Sequence, residues 1–282
     1  MTPDITVLGA GGRIGRALVS ALIGRARVRA VGRSTLDAFL DGDEPAGHVI
    51  SCLGLTGDFR ARPLDTAEAH VGLTARILRR GGFESLLYLS STRVYAGART
   101  TRETAQPAVR PWDPSHLYNL TKLAGEALCL TDPRPTVRVV RLSNVIGAEP
   151  DPDTFLGQVL AEGARTGAVT IRQSARSSKD YVALADVVAL LPRIATTGRH
   201  RLYNLARGTS TTHAEIAELL RERRGWAVDF APGAPAVIFP PINIARLRSE
   251  FAPVLSDPLP PSVILPAGQE ALCLPSMKRA AA

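Results

Sequence analysis

Residues 6–15 read Thr-Val-Leu-Gly-Ala-Gly-Gly-Arg-Ile-Gly, and this stretch decides the fold. A strand-like run leads into it and a helical pattern follows it. Its glycines let the chain turn sharply and let backbone N–H groups approach a pyrophosphate, which also faces the positive end of the following helix. The alternative interpretation is a glycine-rich turn without a ligand. The strand–loop–helix context predicts a dinucleotide site with these cofactor contacts: Gly9, Gly12, Arg13, Ile14 and Gly15.

Short β-branched runs alternate with helical stretches through the first half of the chain. The strand-like runs are Ile5–Leu8, Val28–Val31, His48–Leu53, Leu86–Ser90 and Thr136–Leu142. The helical stretches are Ile14–Ile23, Thr66–Arg80 and Ser115–Cys129. Such alternation is typical of parallel βαβ units, so we predict an α/β Rossmann fold with a doubly wound parallel sheet.

The pattern changes after about Gly147, where short helices and strands alternate with loops. Thr212-His-Ala-Glu215 has the capping-box pattern of a helix start, and the helix is expected to run to about Arg223. We expect residues 1–147 to form the dinucleotide-binding domain, with some strands and helices returning from 178–206. Residues 148–282 are expected to form mainly a smaller substrate-binding lobe.

The composition is that of a globular protein, with 282 residues of which 45% are hydrophobic and 21% charged. No apolar run is long enough for a membrane span, and the first residues lack the charged start of a signal peptide. We therefore expect a cytoplasmic protein without a membrane partner. The three cysteines show no metal-ligand spacing, so no metal is expected.

The net charge of +8 raises the question of nucleic-acid binding. All but three of the 34 basic residues are arginines, scattered along the chain without aromatic interleaving or a DNA-binding motif. Arginine suits the phosphates of a small molecule as well as those of DNA. The arginine excess therefore fits a phosphorylated small molecule as the partner, and we expect no nucleic acid.

The end of the second strand predicts which nicotinamide cofactor binds. A carboxylate there would bind the ribose 2′-hydroxyl, whereas an arginine would bind a 2′-phosphate. The chain has Arg33 and Ser34 at this point, and Arg13 in the glycine loop is a second candidate for the phosphate. We predict that NADP(H) is preferred, with NAD(H) as the alternative; Arg33 as an ordinary surface residue is the competing interpretation.

Tyr118 and Lys122 lie four residues apart in a helical stretch, which places the phenol and the ammonium on one face. A neighbouring positive charge favours the phenolate, so we expect Lys122 to lower the pKa of Tyr118 and fit it for proton transfer. Ser90 and Ser91 end the preceding strand at the edge where parallel sheets bind ligands. A hydroxyl there can share the substrate oxygen with Tyr118.

Together these motifs resemble the extended short-chain dehydrogenase/reductases, especially those that act on nucleotide sugars. The matching residues are the three loop glycines, Ser90-Ser91-x-x-Val94-Tyr95, Tyr118/Lys122 after Pro114, Arg141-Leu-Ser-Asn144-Val-Ile-Gly147, Lys179-Asp-Tyr-Val182 with Asp186, and Tyr203-Asn-Leu-Ala. The resemblance spans most of residues 4–253. It implies a Rossmann fold with a small C-terminal substrate lobe.

The resemblance also implies roles for single residues. Alignment on Val94 makes Ser91 rather than Ser90 the catalytic hydroxyl, beside Tyr118 and Lys122. The implied cofactor contacts beyond those already named are Leu53, Gly54, Tyr118 and Lys122. The implied contacts to the substrate and its phosphates are Ser91, Asn144 and Lys179.

Members of this family share the triad and differ in reaction. The 4,6-dehydratases place Asp-Glu directly after the triad hydroxyl, whereas this chain has Thr92-Arg93, so we discount dehydration. The UDP-galactose 4-epimerase type has a similar serine motif but carries an acid after the second strand, which this chain lacks. The dTDP-4-dehydrorhamnose reductase type is similar in the short connection from Arg33 to His48 and in the Gly-Arg-Ser-Thr-Leu-Asp motif ending at Asp37.

We therefore expect an NADPH-dependent reductase of a keto group on a nucleotide-activated sugar, of the 4-keto-6-deoxyhexose type. Tyr118 would donate the proton, Lys122 would hold the ribose, and Ser91 would orient the carbonyl. One alternative is a nucleotide-sugar 4-epimerase with bound NAD(P), and another is a reductase of a non-sugar carbonyl compound. A catalytically silent NADP-binding protein is disfavoured by the intact triad.

Three positions depart from the family pattern. A common asparagine is His70 here, the usual arginine before Asp-Tyr-Val is Lys179, and the usual proline after Arg141 is Leu142. These departures leave the sugar, the nucleotide and the carbonyl position open. His70 as an active-site residue and as an ordinary helix histidine are both open interpretations. The resemblance implies a homodimer, and residues 262–282 carry no pattern that predicts a structure.

Overall fold

Six parallel strands form the central sheet in the order β2-β1-β3-β4-β5-β9. The structure is a computed structural model, and it describes residues 3–55, 57–147, 151–152, 154–259 and 264. The strands of this sheet are β1 (Asp4–Leu8), β2 (Arg27–Val31), β3 (His48–Ser51), β4 (Ser85–Ser91), β5 (Val137–Leu142) and β9 (Leu202–Leu205). Since β2 and β3 lie on opposite sides of β1, the winding reverses there, at the position where doubly wound sheets bind ligands.

Helices cover both faces of this sheet, which is why its central strands are buried throughout rather than alternately. The helices are α1 (Arg13–Leu22), α2 (Leu36–Asp41), α3 (Pro63–Ala67), α4 (Leu73–Arg80), α5 (Leu117–Thr131), α6 (Phe155–Thr166), α7 (Leu184–Thr197), α8 (His213–Arg224) and α9 (Ala245–Phe251). Side chains on one face of the sheet, such as Leu87 and Val140, pack with α1 and α7 in one hydrophobic cluster. Side chains on the other face, such as Leu86 and Val139, pack with α2 and α4 in a second cluster.

The strands and helices expected in the first half are confirmed, with ends shifted by up to three residues. The shortened connection after β2 is also confirmed: a 3-10 turn (Arg33–Thr35) and α2 lead directly to β3. One feature was not predicted. A π-helical turn, Glu68–Gly72, separates α3 from α4, so the stretch expected as one helix contains an extra residue in that turn.

A second unit contains short elements of its own. The strands β7 (Ala168–Ile171) and β11 (Ala227–Phe230) pair in parallel, and α6 and α8 pack on them. The capping box at the start of α8 is confirmed, since Thr212 and Glu215 exchange hydrogen bonds, and the helix ends at Arg224.

A third sheet has the order β10-β8-β6. Its strands are β6 (Asn144–Ile146), β8 (Ser178–Ala183) and β10 (Ser210–Thr212), and most of their residues are grouped with the central sheet.

The chain divides into two compact units, and the first comprises the described residues up to Val145 together with Lys179–Ser210 and Phe239–Ser256. The second unit comprises the described parts of Ile146–Ser178 and Thr211–Ile238, with later residues. The domain boundaries expected from the sequence stay a prediction. Within the described ranges, no helix combines the length and apolar character that crossing a bilayer requires. Apart from Ile264, residues 262–282 lie outside the described residues.

Candidate active site

The loop between β1 and α1 requires glycine at two positions. Gly9 has a φ of +75°, and a Cβ there would lie 3.0 Å from the Cys52 backbone. A Cβ on Gly15 would overlap the carbonyl oxygen of Gly9. Gly12 caps α1 without a side-chain hydrogen bond, and the first turn of α1 contains no acidic residue. The loop therefore presents bare backbone at the positive end of α1, which fits the pyrophosphate of a dinucleotide.

Arg33 and Ser34 follow β2 and are exposed. Arg33 has no hydrogen bond or ion pair with any described residue. The first carboxylate after the strand, Asp37, accepts a hydrogen bond of 2.8 Å from Arg76. Arg13 Nη1 donates to the Val145 carbonyl at 3.1 Å, and a contact of Arg13 with the cofactor stays a prediction. The end of β2 therefore offers a cation rather than a carboxylate to a ribose.

Ser91 and Tyr118 meet beyond the end of β4. Ser91 is the last residue of that strand, and Tyr118 lies in the first turn of α5, where it is 7% exposed and close enough to Ser91 for the serine to act on its pKa. Burial raises the pKa of the Tyr118 phenol, whereas Ser91 and the charge of Arg93 lower it. The sequence predicted a pKa lowered by Lys122; in the structure burial has the larger effect, and Arg93 is the cation that opposes it.

Lys122 lies one turn further along α5 and is 4% exposed. Its Nζ donates to the Leu89 carbonyl at 2.8 Å and lies 5.9 Å from the ring centroid of Tyr118. Burial lowers the pKa of Lys122 to about 7, and the negative charge of Glu126 opposes this shift. A Cβ on Gly54 would lie 3.3 Å from Nζ, so glycine lets the loop after β3 pass beside the lysine.

His70 lies in the π-helical turn and is fully buried. Its Nε2 accepts the Leu55 N–H at 3.3 Å, and its Nδ1 lies 2.8 Å from Thr121 Oγ1. Because Nε2 accepts, Nδ1 carries the proton and donates to Thr121. The ring meets Tyr118 edge-on, with centroids 5.3 Å apart. Burial lowers the pKa of His70 to about 2, so a neutral imidazole connects the loop after β3 to α5.

Ser90 has a different set of partners, which we call the Ser90 network. Its Oγ donates to Glu126 Oε1 at 2.5 Å, and Glu126 forms a bidentate ion pair with Arg141 at 2.6 and 2.9 Å. Arg141 also donates to the Tyr95 hydroxyl at 2.8 Å, and that hydroxyl donates to Asn204 Oδ1 at 2.8 Å. All five residues are buried. The network is saturated, so Ser90 has a structural role.

Arg93 follows β4 in a 3-10 turn and is half-buried. Its guanidinium carbon lies 5.8 Å from the ring centroid of Tyr118 and 5.2 Å from that of Phe59. Arg60 stacks on the same phenylalanine at 4.5 Å. Burial and the charge of Arg60 lower the pKa of Arg93. In the sequence analysis Arg93 served only as an argument against dehydration, and its contact with Tyr118 was not predicted. Its position two residues after Ser91 was the one feature of the sequence that could have indicated this contact.

The two substrate residues implied by the resemblance lie at the start of β6 and in β8. Asn144 is exposed, and its Nδ2 donates to the Asp180 carbonyl at 2.8 Å. Lys179 is half-buried, and burial and the charge of Arg93 lower its pKa. Lys179 therefore lies in the same positive field as Arg93. Contacts of both residues with a substrate stay a prediction.

The structure brings Ser91, Tyr118, Lys122 and Gly54 together at the carboxyl end of the sheet. In the part of the chain that the structure describes, no group of histidine, cysteine and carboxylate side chains could hold a metal ion. The contact between His70 and Tyr118 was missed by sequence reasoning. His70 had been noted because it stands where the family usually has an asparagine. Its contact with Tyr118 depends on the π-helical turn, which has no sequence signature.

Comparisons with known proteins place this geometry in a family. Residues 5–206 match the model of the NAD dependent epimerase/dehydratase family. No curated protein matches the chain. Solved structures do match it over most of its length, all at identities that show the fold alone.

MoeE5 in complex with UDP-glucose and NAD is 22% identical, with a TM-score of 0.73 and coverage of 90% of this chain and 94% of that one. RMD from Pseudomonas aeruginosa complexed with NADPH is 23% identical, with a TM-score of 0.70 and coverage of 88% and 92%. A dTDP-glucose 4,6-dehydratase from Bacillus anthracis in complex with NAD is 14% identical, with a TM-score of 0.73 and coverage of 93% and 94%.

The family match covers more than half of the chain and includes the glycine loop, the strand-end serines and the Tyr-Lys pair. The parallel sheet with helices on both faces agrees with the fold of the solved structures. The chain belongs to the NAD dependent epimerase/dehydratase family and is an NAD(P)-dependent enzyme of the extended short-chain dehydrogenase/reductase type.

Proposed function

We propose that the enzyme is an NADPH-dependent reductase of a keto group on a nucleotide-activated sugar, of the 4-keto-6-deoxyhexose type. The observation that carries this proposal is the buried Tyr118 phenol, which lies beside Ser91 and has Lys122 Nζ 5.9 Å from its ring centroid. Because burial raises the pKa of this phenol, Tyr118 holds its proton at neutral pH. A protonated phenol is the acid that reduction of a carbonyl needs.

NADPH is the proposed cofactor. The glycine loop would hold the pyrophosphate, and Arg33 would bind the 2′-phosphate, because the nearest carboxylate, Asp37, is paired with Arg76. Lys122 and Gly54 would border the nicotinamide ribose. When bound, the cofactor supplies the hydride for the carbonyl carbon. One of the similar structures, RMD, was solved with NADPH, which supports this assignment.

The protein residues act on the carbonyl oxygen. Ser91 and Tyr118 donate hydrogen bonds to it, which orients the carbonyl and polarises it toward attack at carbon. As the oxygen gains negative charge, the proton of Tyr118 moves to it and the alcohol forms. The positive charges of Lys122 and Arg93 stabilise the resulting phenolate until a proton from solvent restores Tyr118. One hydride and one proton have then been added to the carbonyl.

A nucleotide sugar is the proposed substrate class because MoeE5, a similar structure, was solved with UDP-glucose. The resemblance places Asn144 and Lys179 where related enzymes contact the substrate and its phosphates. Lys179 keeps the positive charge of the usual arginine and lacks its planar fork. The sugar and the nucleotide are left to experiment.

The second candidate is a 4-epimerase with bound NAD(P), which the family match favours because epimerases share the family model. An epimerase oxidises and then re-reduces one carbon, so Tyr118 would first have to accept a proton. The two candidates differ in whether NADPH is consumed.

The test is the loss of reduced-nicotinamide absorbance when the purified enzyme meets NADPH and a panel of nucleotide-linked 4-keto sugars. We expect stoichiometric oxidation of NADPH with at least one member of the panel. Arg25→Gln, a change at an exposed arginine in the turn before β2, should retain full activity. If NADPH binds and no ketone consumes it, while a nucleotide sugar is interconverted with its 4-epimer, the reductase proposal is wrong.

A further inference from the structure

Arg93 and Arg60 form an arginine pair, because both guanidinium groups lie close to the same aromatic ring. The guanidinium carbons lie 5.2 and 4.5 Å from the ring centroid of Phe59, which is 2% exposed. Phe59 in turn packs against Tyr118, with ring centroids 5.4 Å apart. Two like charges are thus held beside an apolar surface next to the reacting phenol.

No carboxylate neutralises this pair among the described residues, since neither arginine forms an ion pair there. The side chain of Arg93 makes a single hydrogen bond, 3.4 Å long, to the Ser115 carbonyl. Asp113, whose carboxylate accepts the N–H of Ser115, is paired with Arg110 instead. Burying a cation near a second cation is unfavourable unless an anion compensates it.

The effect of this uncompensated charge is visible in the neighbouring groups. The charge of Arg60 lowers the pKa of Arg93, and the charge of Arg93 lowers the pKa of Lys179 and of Tyr118. These groups therefore share one positive field around the phenol. An anion bound there would relieve the repulsion.

We propose that Arg93 binds a carboxylate of the substrate, placed one or two bonds from the carbonyl carbon, so that the preferred substrate class is a nucleotide-linked uronic or other acidic keto sugar. The proposal rests on one part of the proposed function, the reduction of a keto group on a nucleotide-activated sugar. It replaces the other part, the 6-deoxyhexose, because a uronic acid carries a carboxylate where a 6-deoxyhexose carries a methyl group. The guanidinium carbon lies 5.8 Å from the centre of the Tyr118 ring. A substrate carboxylate paired with Arg93 would therefore lie close to the carbonyl group that Tyr118 protonates. The planar fork of arginine matches the two oxygens of a carboxylate.

The test is equilibrium binding by calorimetry, without turnover, of two matched pairs of probes. The pairs are UDP-glucuronic acid with UDP-glucose, and dTDP-glucuronic acid with dTDP-glucose, so each pair exchanges a carboxylate for a hydroxymethyl group. We expect the acid to bind about 10- to 100-fold more tightly than the neutral sugar in at least one pair, as for hydrogen bonds to charged groups. Equal affinity for acid and neutral sugar in both pairs, or no binding of either, overturns the proposal.

Two variants make the assignment specific to Arg93. Arg93→Gln should remove the preference for the acid and leave the affinity for the neutral sugar within about twofold. Arg93→Lys keeps the charge without the fork and should retain part of the preference. Arg25→Gln removes one exposed positive charge elsewhere and should change nothing. If Arg93→Gln weakens the acid and the neutral sugar equally, Arg93 binds the diphosphate and the proposal is wrong.

The two proposals fail separately. If no ketone consumes NADPH but the acid preference and its loss in Arg93→Gln are observed, the reductase assignment is wrong and the carboxylate site stands. If NADPH is oxidised with neutral 4-keto sugars and no acid is preferred, the reductase stands and the carboxylate site is wrong. Thermal melting of each variant, compared with the unchanged protein, verifies that the binding measurements report folded enzyme.

Discussion

Ser90 and Ser91 are neighbours on β4, and they belong to two different environments. Ser90 is part of the Ser90 network, in which buried charged and polar groups find their partners inside the protein. Ser91 belongs to what we call the Ser91 site, which consists of Ser91, Tyr118, Lys122 and Arg93. In that site burial opposes the charged form of three groups, and among the described residues no carboxylate forms an ion pair with Lys122 or Arg93.

This difference suggests that the Ser90 network contributes to the stability of the fold and the Ser91 site to the reaction. A buried ion pair with every hydrogen bond satisfied holds strands and helices in register, and removing one partner is strongly destabilising. A site with shifted pKa values and unsatisfied charge is able to bind and protonate a substrate. The two are linked through Glu126, whose charge also raises the pKa of Lys122. The predictions below, from the largest expected effect to the smallest, test this division.

Removing one phenol from each environment should separate activity from stability. Tyr118→Phe should reduce turnover by about 10²- to 10⁴-fold, because the proton donor is lost, with cofactor affinity largely unchanged. Tyr95→Phe should leave turnover of the folded enzyme within a fewfold and lower the free energy of unfolding by about 1–3 kcal/mol. Steady-state kinetics and urea unfolding measure the two effects. Equal loss of cofactor binding and turnover in Tyr118→Phe would contradict the assignment.

Breaking the buried ion pair should have the largest effect on stability. Glu126→Gln leaves Arg141 buried without its counterion, and we expect the free energy of unfolding to fall by about 3–5 kcal/mol. The control is Glu44→Gln, which removes an exposed ion pair with Arg29 and should change stability by less than about 1 kcal/mol. Urea unfolding of both variants tests this, and a similar small change in both would show that the Ser90 network is not structural.

His70 should make stability depend on pH. Its pKa is about 2 in the folded protein against 6.5 in the unfolded chain, so between these values only the unfolded chain takes up the proton. Stability is therefore lost as pH falls below about 6.5, by about 2 kcal/mol between pH 6.5 and 5. His70→Asn, which keeps an acceptor for the Leu55 N–H, should lack this contribution. Unfolding measured from pH 8 to 5 gives the difference between the two proteins, and parallel pH curves would rule out a neutral buried histidine.

The smallest expected effect concerns the cofactor. Arg33→Asp should weaken NADPH binding by about tenfold or more and leave NADH binding unchanged or improved, because the 2′-phosphate loses its cation. Fluorescence titration with each cofactor measures both affinities. Unchanged NADPH affinity would show that Arg33 is an ordinary surface residue and that NADP(H) is not selected at this position.

Much of this architecture could be predicted from the sequence, for physical reasons that differ between regions. The glycine loop and the Tyr-Lys spacing are local patterns, so their elements and the short connection after β2 were predicted within a few residues. The Ser90 network depends on contacts between residues far apart in the chain, such as Tyr95 with Asn204, which no local pattern reveals. The contact of Arg93 with Tyr118 and the π-helical turn at His70 likewise depend on tertiary packing.

Ser90→Ala and Ser91→Ala, each measured for both turnover and urea unfolding, test the central claim most directly. The two changes remove the same atom from adjacent residues of one strand. We expect Ser91→Ala to lower turnover by about 10- to 100-fold and Ser90→Ala to leave turnover unchanged while it lowers stability by about 1 kcal/mol. Ser91→Ala also loses the hydrogen bond that Ser91 Oγ accepts from the Arg93 N–H at 3.2 Å, so a loss of stability of about 1 kcal/mol is expected there too. If Ser90→Ala reduced turnover as much as Ser91→Ala, or if Ser91→Ala left turnover unchanged, the division of this strand end into a catalytic and a structural hydroxyl would be wrong.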